Sequence, residues 1–195
     1  MNERISRRTG IAAIATGLGF FAGHAGELVF GSPSHEADGV YVVLGGVGLA
    51  AFGVTLWGLR GVLAEPKRVR IGLRIALVGA ALLGLFAVQA IVAVVQTGHV
   101  PEIFALFGLG LLLATVGQLL FAPGLREVVG IAWSLPIVAA IGAVVALTTD
   151  AYLRAGPWTL PSTHDIGLFV FEGAWVAFGA TILNQRRVMR PAALP

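Results

Sequence analysis

The chain has no cysteine among its 195 residues, which excludes disulfides, thiolate metal sites and a cysteine nucleophile. Charge is scarce as well: Asp, Glu, Lys and Arg make up 12% of the residues, against roughly 25% in a soluble domain. No phosphate-binding glycine loop, HExxH pair or nucleophile elbow is present. Gly45-Gly46-Val47-Gly48 lies inside an apolar run and reads as helix packing, and Ser134 falls far from every histidine. What remains is apolar, with 57% hydrophobic residues and a mean hydropathy of +0.89. The expected fold class is therefore an all-α integral membrane protein.

Apolar stretches separated by short polar gaps predict six transmembrane helices, over about 9–30, 39–63, 71–97, 102–121, 128–149 and 165–183. Six spans of about 20 residues use up the chain, so a single transmembrane domain is expected over 1–195. Short gaps favour three antiparallel helical hairpins in one bundle. Pro136 falls inside the fifth span and predicts a kink there. Tyr152 and Trp158 place the longest gap at the headgroup layer.

Basic residues fall in alternate gaps. Arg4, Arg7, Arg8, Arg60, Lys67, Arg68, Arg70, Arg74, Arg126, Arg186, Arg187 and Arg190 share one side, and only Arg154 falls on the other. Cytoplasmic loops carry such an excess, so both termini are expected in the cytoplasm. Arg7-Arg8 before an apolar run resembles a twin-arginine signal. That run is long enough to span, and its removal would break the alternation, so it is read as the first helix. The basic residues sit at helix ends beside anionic lipid, and no nucleic-acid module accompanies them. The lipid bilayer, and not nucleic acid, is the expected partner.

Small residues four apart, Gly19 and Gly23, Ala80 and Gly84, Gly173 and Ala177, offer helix faces for close packing or for a homo-oligomer or membrane-complex partner. A shift of 64 residues superposes His35 on His99, Gly46 on Gly110 and Gly53 on Gly117, a weak sign of repeated hairpins.

Histidine and carboxylate show the reverse bias. His24, His35, His99 and His164, with Glu27, Glu36, Asp38, Glu102, Asp150, Asp165 and Glu172, lie in or near the gaps opposite the basic ones. The pairs His35 with Asp38, His99 with Glu102 and His164 with Asp165 are candidate divalent-metal ligands. The competing reading is that Asp38, Glu102 and Asp165 stabilise helix N-termini. Haem is disfavoured, because bis-histidine ligation needs two histidines at matching depth and only His24 is well inside a span.

His24, Glu27, Gln89 and Glu172 lie deeper. A carboxylate such as Glu172 costs several kcal/mol within the bilayer unless it is protonated, paired or wet. These four are the candidate proton or transport pathway, against a structural alternative in which Glu172 accepts a hydrogen bond from His24 or Gln89. The expected function is a small transporter or an ion- or proton-binding protein with an external His/carboxylate site. The alternatives are a membrane-embedded redox or metal-dependent enzyme subunit using metal, haem or quinone, and an accessory subunit without a site of its own.

Overall fold

The computed structural model describes residues 5–30, 35–63, 66–97, 104–153 and 163–188. The α-helices are α1 (Arg7–Phe30), α2 (His35–Leu59), α3 (Lys67–Thr97), α4 (Phe104–Phe121), α5 (Arg126–Val129), α6 (Leu135–Leu153) and α7 (Thr163–Val188). The 3-10 turns Ala122–Leu125 and Gly130–Ser134 flank α5, and no strand occurs among the described residues.

Local chemistry sets several boundaries. Ser6 caps α1, its Oγ accepting from the Thr9 backbone N–H at 3.1 Å. Pro66 ends the turn after α2, and its carbonyl accepts from Val69 N–H at 2.9 Å as α3 begins. Pro136 does not kink a helix interior, as its position in the fifth apolar stretch had suggested. It stands in the first turn of α6, where its missing N–H has no helical acceptor to lose. The break comes earlier, at Gly130, whose φ of +56° separates α5 from the following 3-10 turn.

Among the described residues, three stretches are long and apolar enough to cross a membrane: Lys67–Thr97, Leu106–Leu147 and Asp165–Gln185. Val43–Leu59 is a shorter apolar helix. They mark a membrane protein, but length and composition single out three stretches and not the six expected. The 42-residue Leu106–Leu147 stretch takes in most of both α4 and α6. Glycine, threonine and His24 dilute α1.

The six long helices form a closed ring in chain order: α1 packs on α2, α2 on α3, α3 on α4, α4 on α6, α6 on α7, and α7 returns to α1. Close approaches show that neighbours run antiparallel. Gly19 meets Gly48 while Gly58 meets Thr9, and Gly10 meets Gly179 while Gly17 meets Glu172. On the α3–α4 seam, Gly72 and Gly79 face Gly117 and Gly110. A Cβ at Gly79 would overlap the backbone of Ala114, and one at Gly117 would overlap Ala76. Inside lipid the apolar effect does not drive helices together, so this backbone contact supplies the attraction.

The small-residue pairs expected from sequence are only partly used. Gly19 is at a seam, whereas a Cβ at Gly84 or Gly173 would meet nothing within 4 Å. Gly53 likewise faces open space although Gly117 is tightly packed, so the 64-residue shift does not match their environments.

The ring is filled by Phe52, Leu56, Phe121, Phe171, Trp175 and Phe178, with alanines completing the core. Trp175 packs edge-on against Phe52 at 5.3 Å and Phe178 at 5.6 Å. Outward faces are apolar too: Val78, Leu85, Val88, Val95 and Ile141 are exposed. In water such a surface would be an aggregation liability, whereas lipid solvates it. Antiparallel closure gathers the positions of Arg7, Arg60, Arg70, Arg74 and Arg126 at one end of the ring, and those of His24 and Asp165 toward the other.

Candidate functional site

Toward the histidine end, the α1–α7 seam builds a three-residue cluster. His24 Nε2–H donates to Asp165 Oδ1 across 3.2 Å. On the other side of the same ring, Nδ1 lies 3.3 Å from Glu172 Oε1. That second approach is within ion-pair reach but is not aligned for a hydrogen bond, so Nδ1 and both Glu172 oxygens are without one. Side-chain exposures are 9% for His24, 14% for Asp165 and 3% for Glu172, so the carboxylate of Glu172 is the most enclosed of the three.

Sequence explains how the cluster is held. Asp165 and Glu172 are seven residues apart, two turns on one face of α7, and the imidazole fits between them. Gly17 lets α1 lie against α7, since a Cβ there would overlap the Glu172 carbonyl oxygen and the Val176 side chain. Phe169 covers the imidazole, with ring centroids 4.7 Å apart. Phe20 packs edge-on against Phe171 at 5.3 Å beneath it.

The arrangement has a simple proton arithmetic. With Nε2–H committed to Asp165, a neutral imidazole presents a bare lone pair at Nδ1 to a Glu172 oxygen, and two acceptors repel. One further proton, on Nδ1 or on Glu172, turns that repulsion into attraction. A buried carboxylate is costly when charged and unpaired, so the proton has a strong reason to be there.

More unsatisfied polar groups occur in the interior. Trp175 Nε1, one turn beyond Glu172, has no hydrogen-bond partner, nor do Thr115 Oγ1 and either amide atom of Gln118 on α4. Thr16 and Thr55 are fully buried, with hydroxyls 3.5 Å apart that donate to Ala12 O and Ala51 O. Buried polar atoms are ordinarily paired, by protein or by water, so Trp175, Thr115 and Gln118 stand out in a core otherwise filled by aromatic and aliphatic side chains.

Other residues singled out from sequence fall elsewhere. Gln89 does not join the cluster: it is exposed on α3, between the buried positions Ala87 and Ala90, because the packed face of α3 recurs at Gly72, Ala76, Gly79, Leu83 and Ala87. Glu27 lies on α1 near its end, and its side chain is outside the described residues. So are those of His35, Asp38 and His164, together with residues His99 and Glu102. Asp165 faces His24 of α1, in the first turn of α7. Among the described residues no group of three or more His, Asp or Glu side chains is arranged to hold a metal. Metal binding therefore gains no support among the described residues.

Sequence reasoning placed Asp165 with His164 and passed over Trp175, Thr115 and Gln118. Buried Thr and Gln in an apolar helix were the available signal for the interior groups. Comparison with protein-family models, with curated proteins and with solved structures returns no match, so no residue role is carried over from a relative.

Proposed function

We propose that this is a six-span membrane protein that binds and transfers protons at the Asp165–His24–Glu172 cluster. In this reading α1, α2, α3, α4, α6 and α7 each cross the bilayer, and the arginine end lies in the cytoplasm with both termini. The shortest of them, α4 with 18 residues, would be about 27 Å long, close to the roughly 30 Å hydrocarbon core. The His24 cluster then lies toward the external side.

The observation that carries the proposal is the contact of His24 Nδ1 with Glu172 Oε1 at 3.3 Å, two acceptors in a buried site with no other partner. The cluster holds one proton readily and can release it to Asp165, the most exposed of the three. Intramembrane ionisable residues of this kind commonly form proton relays. Trp175, Thr115 and Gln118 are further buried polar groups without a hydrogen-bond partner among the described residues.

The test is proton flux into liposomes containing the purified chain, followed with an entrapped pH-sensitive dye. Glu172→Gln removes the titrating oxygen with little change of shape, and flux per folded molecule is expected to fall roughly tenfold or more. A lower melting temperature with unchanged flux would assign Glu172 a purely structural role and sink the proposal.

A further inference from the structure

A second site lies at the arginine end, far from the His24 cluster. Arg60, Leu63, Arg70, Leu73, Arg74 and Leu77 line a cavity of about 490 Å³, within the usual range of roughly 300–1,000 Å³ for ligand pockets. Arg70 and Arg74 stand one turn apart on the same face of α3, and Arg60 follows the last turn of α2. All three are exposed, and no carboxylate among the described residues pairs with any of them. Leu63 and Leu73 are buried and give the cavity an apolar floor.

Three arginines line this one cavity, so like charges share its wall, and an anion bound there would offset their mutual repulsion. Arginine suits phosphate in particular, because its planar donor fork meets two phosphate oxygens at once. The leucines argue for more than a free anion, since a small hydrated ion gains nothing from an apolar floor. The cavity wall also reaches an exposed aromatic: Arg60 lies 5.0 Å over the ring of Trp57, which is 62% exposed. Tryptophan at a helix end is the residue that sits at headgroup level.

We infer that this cavity binds an anionic phospholipid, with its phosphodiester held by Arg60, Arg70 and Arg74 and the start of an acyl chain against Leu73 and Leu77. The inference goes beyond the proton-transfer proposal and shares no residue with it.

Native mass spectrometry of the full chain in mild detergent, offered equal phosphatidylglycerol and phosphatidylcholine, tests it. Wild-type protein is expected to keep phosphatidylglycerol in roughly tenfold excess over phosphatidylcholine. The triple variant Arg60→Gln, Arg70→Gln, Arg74→Gln is expected to lose that preference. Arg7→Gln with Arg8→Gln, at the same end but outside the cavity, should retain it. Equal occupancy by the two lipids in wild type, which needs no variant to fold, overturns the inference. So does a preference that survives the triple variant or disappears in the Arg7/Arg8 control. Displacement of phosphatidylglycerol by millimolar inorganic phosphate would show that the site reads free phosphate, and would overturn the lipid assignment.

Discussion

At one end of the ring, Arg60, Arg70 and Arg74 stand exposed with no described carboxylate against them. Some seventeen residues along α1 from Arg7, or about 25 Å of helix, His24 is enclosed between Asp165 and Glu172. Exposed cations can be solvated by water and lipid headgroups and need no partner in the protein. Enclosed groups lack that recourse, so acid and base must find each other across a helix seam. The same chain thus handles charge by exposure at one end and by pairing toward the other, and the pairing depends on how α1 meets α7.

Widening that seam should produce the largest effect. Gly17→Val would drive a side chain into the Glu172 carbonyl and Val176, separating α1 from α7. A loss of about 3 kcal/mol or more is expected in thermal or denaturant unfolding in detergent. Gly84→Ala, placed in open space, is the control and should leave stability within about 0.5 kcal/mol. Equal losses in the two variants would contradict the seam.

Removing the imidazole comes next. His24→Ala leaves the Glu172 carboxylate without its partner and takes one hydrogen bond from Asp165, and is expected to cost about 2–4 kcal/mol, less if Glu172 takes up a proton. In a double-mutant cycle, His24→Ala with Glu172→Gln should show a coupling of at least about 1 kcal/mol. A coupling near zero would mean that the 3.3 Å approach carries no energy.

At the foot of the scale, Gln89→Leu replaces an amide on an outward face and should shift stability by no more than about 0.5 kcal/mol. A large loss would show that Gln89 is covered, for instance by a second copy of the chain. Comparing it with His24→Ala asks directly whether polarity on an apolar helix matters by its presence or by its partners.

Much of this was legible in the residues themselves. His24 and Glu172 stood out because each is an ionisable group well inside an apolar stretch, a reading that needs no tertiary contact. Gln89 stood out for the same reason and lies apart from them, because depth along a helix says nothing about which way a side chain faces. Asp165 is legible as part of a helix start, which it is, but its bond to His24 joins residues 141 positions apart. Four-residue spacing points to Gly19, which is at a seam, and to Gly84 and Gly173, which are not, while the α3–α4 seam uses Gly72 with Gly79 and Gly110 with Gly117, seven apart. Seven residues is two turns on one face of a helix, as good a packing stripe as four.

The sequence by itself determined the helical class, the membrane environment and the gathering of arginine into alternate gaps, because each follows from composition and from order along the chain. Tertiary structure alone decided that α7 closes onto α1, that His24 falls between Asp165 and Glu172, and that three arginines share a leucine-floored cavity. The physical reason is the solvent. In lipid the outward faces of these helices are as apolar as the inward ones, so hydrophobic periodicity does not reveal which face packs. That choice is made by backbone shape at glycines such as Gly17, where one missing Cβ lets two helices touch.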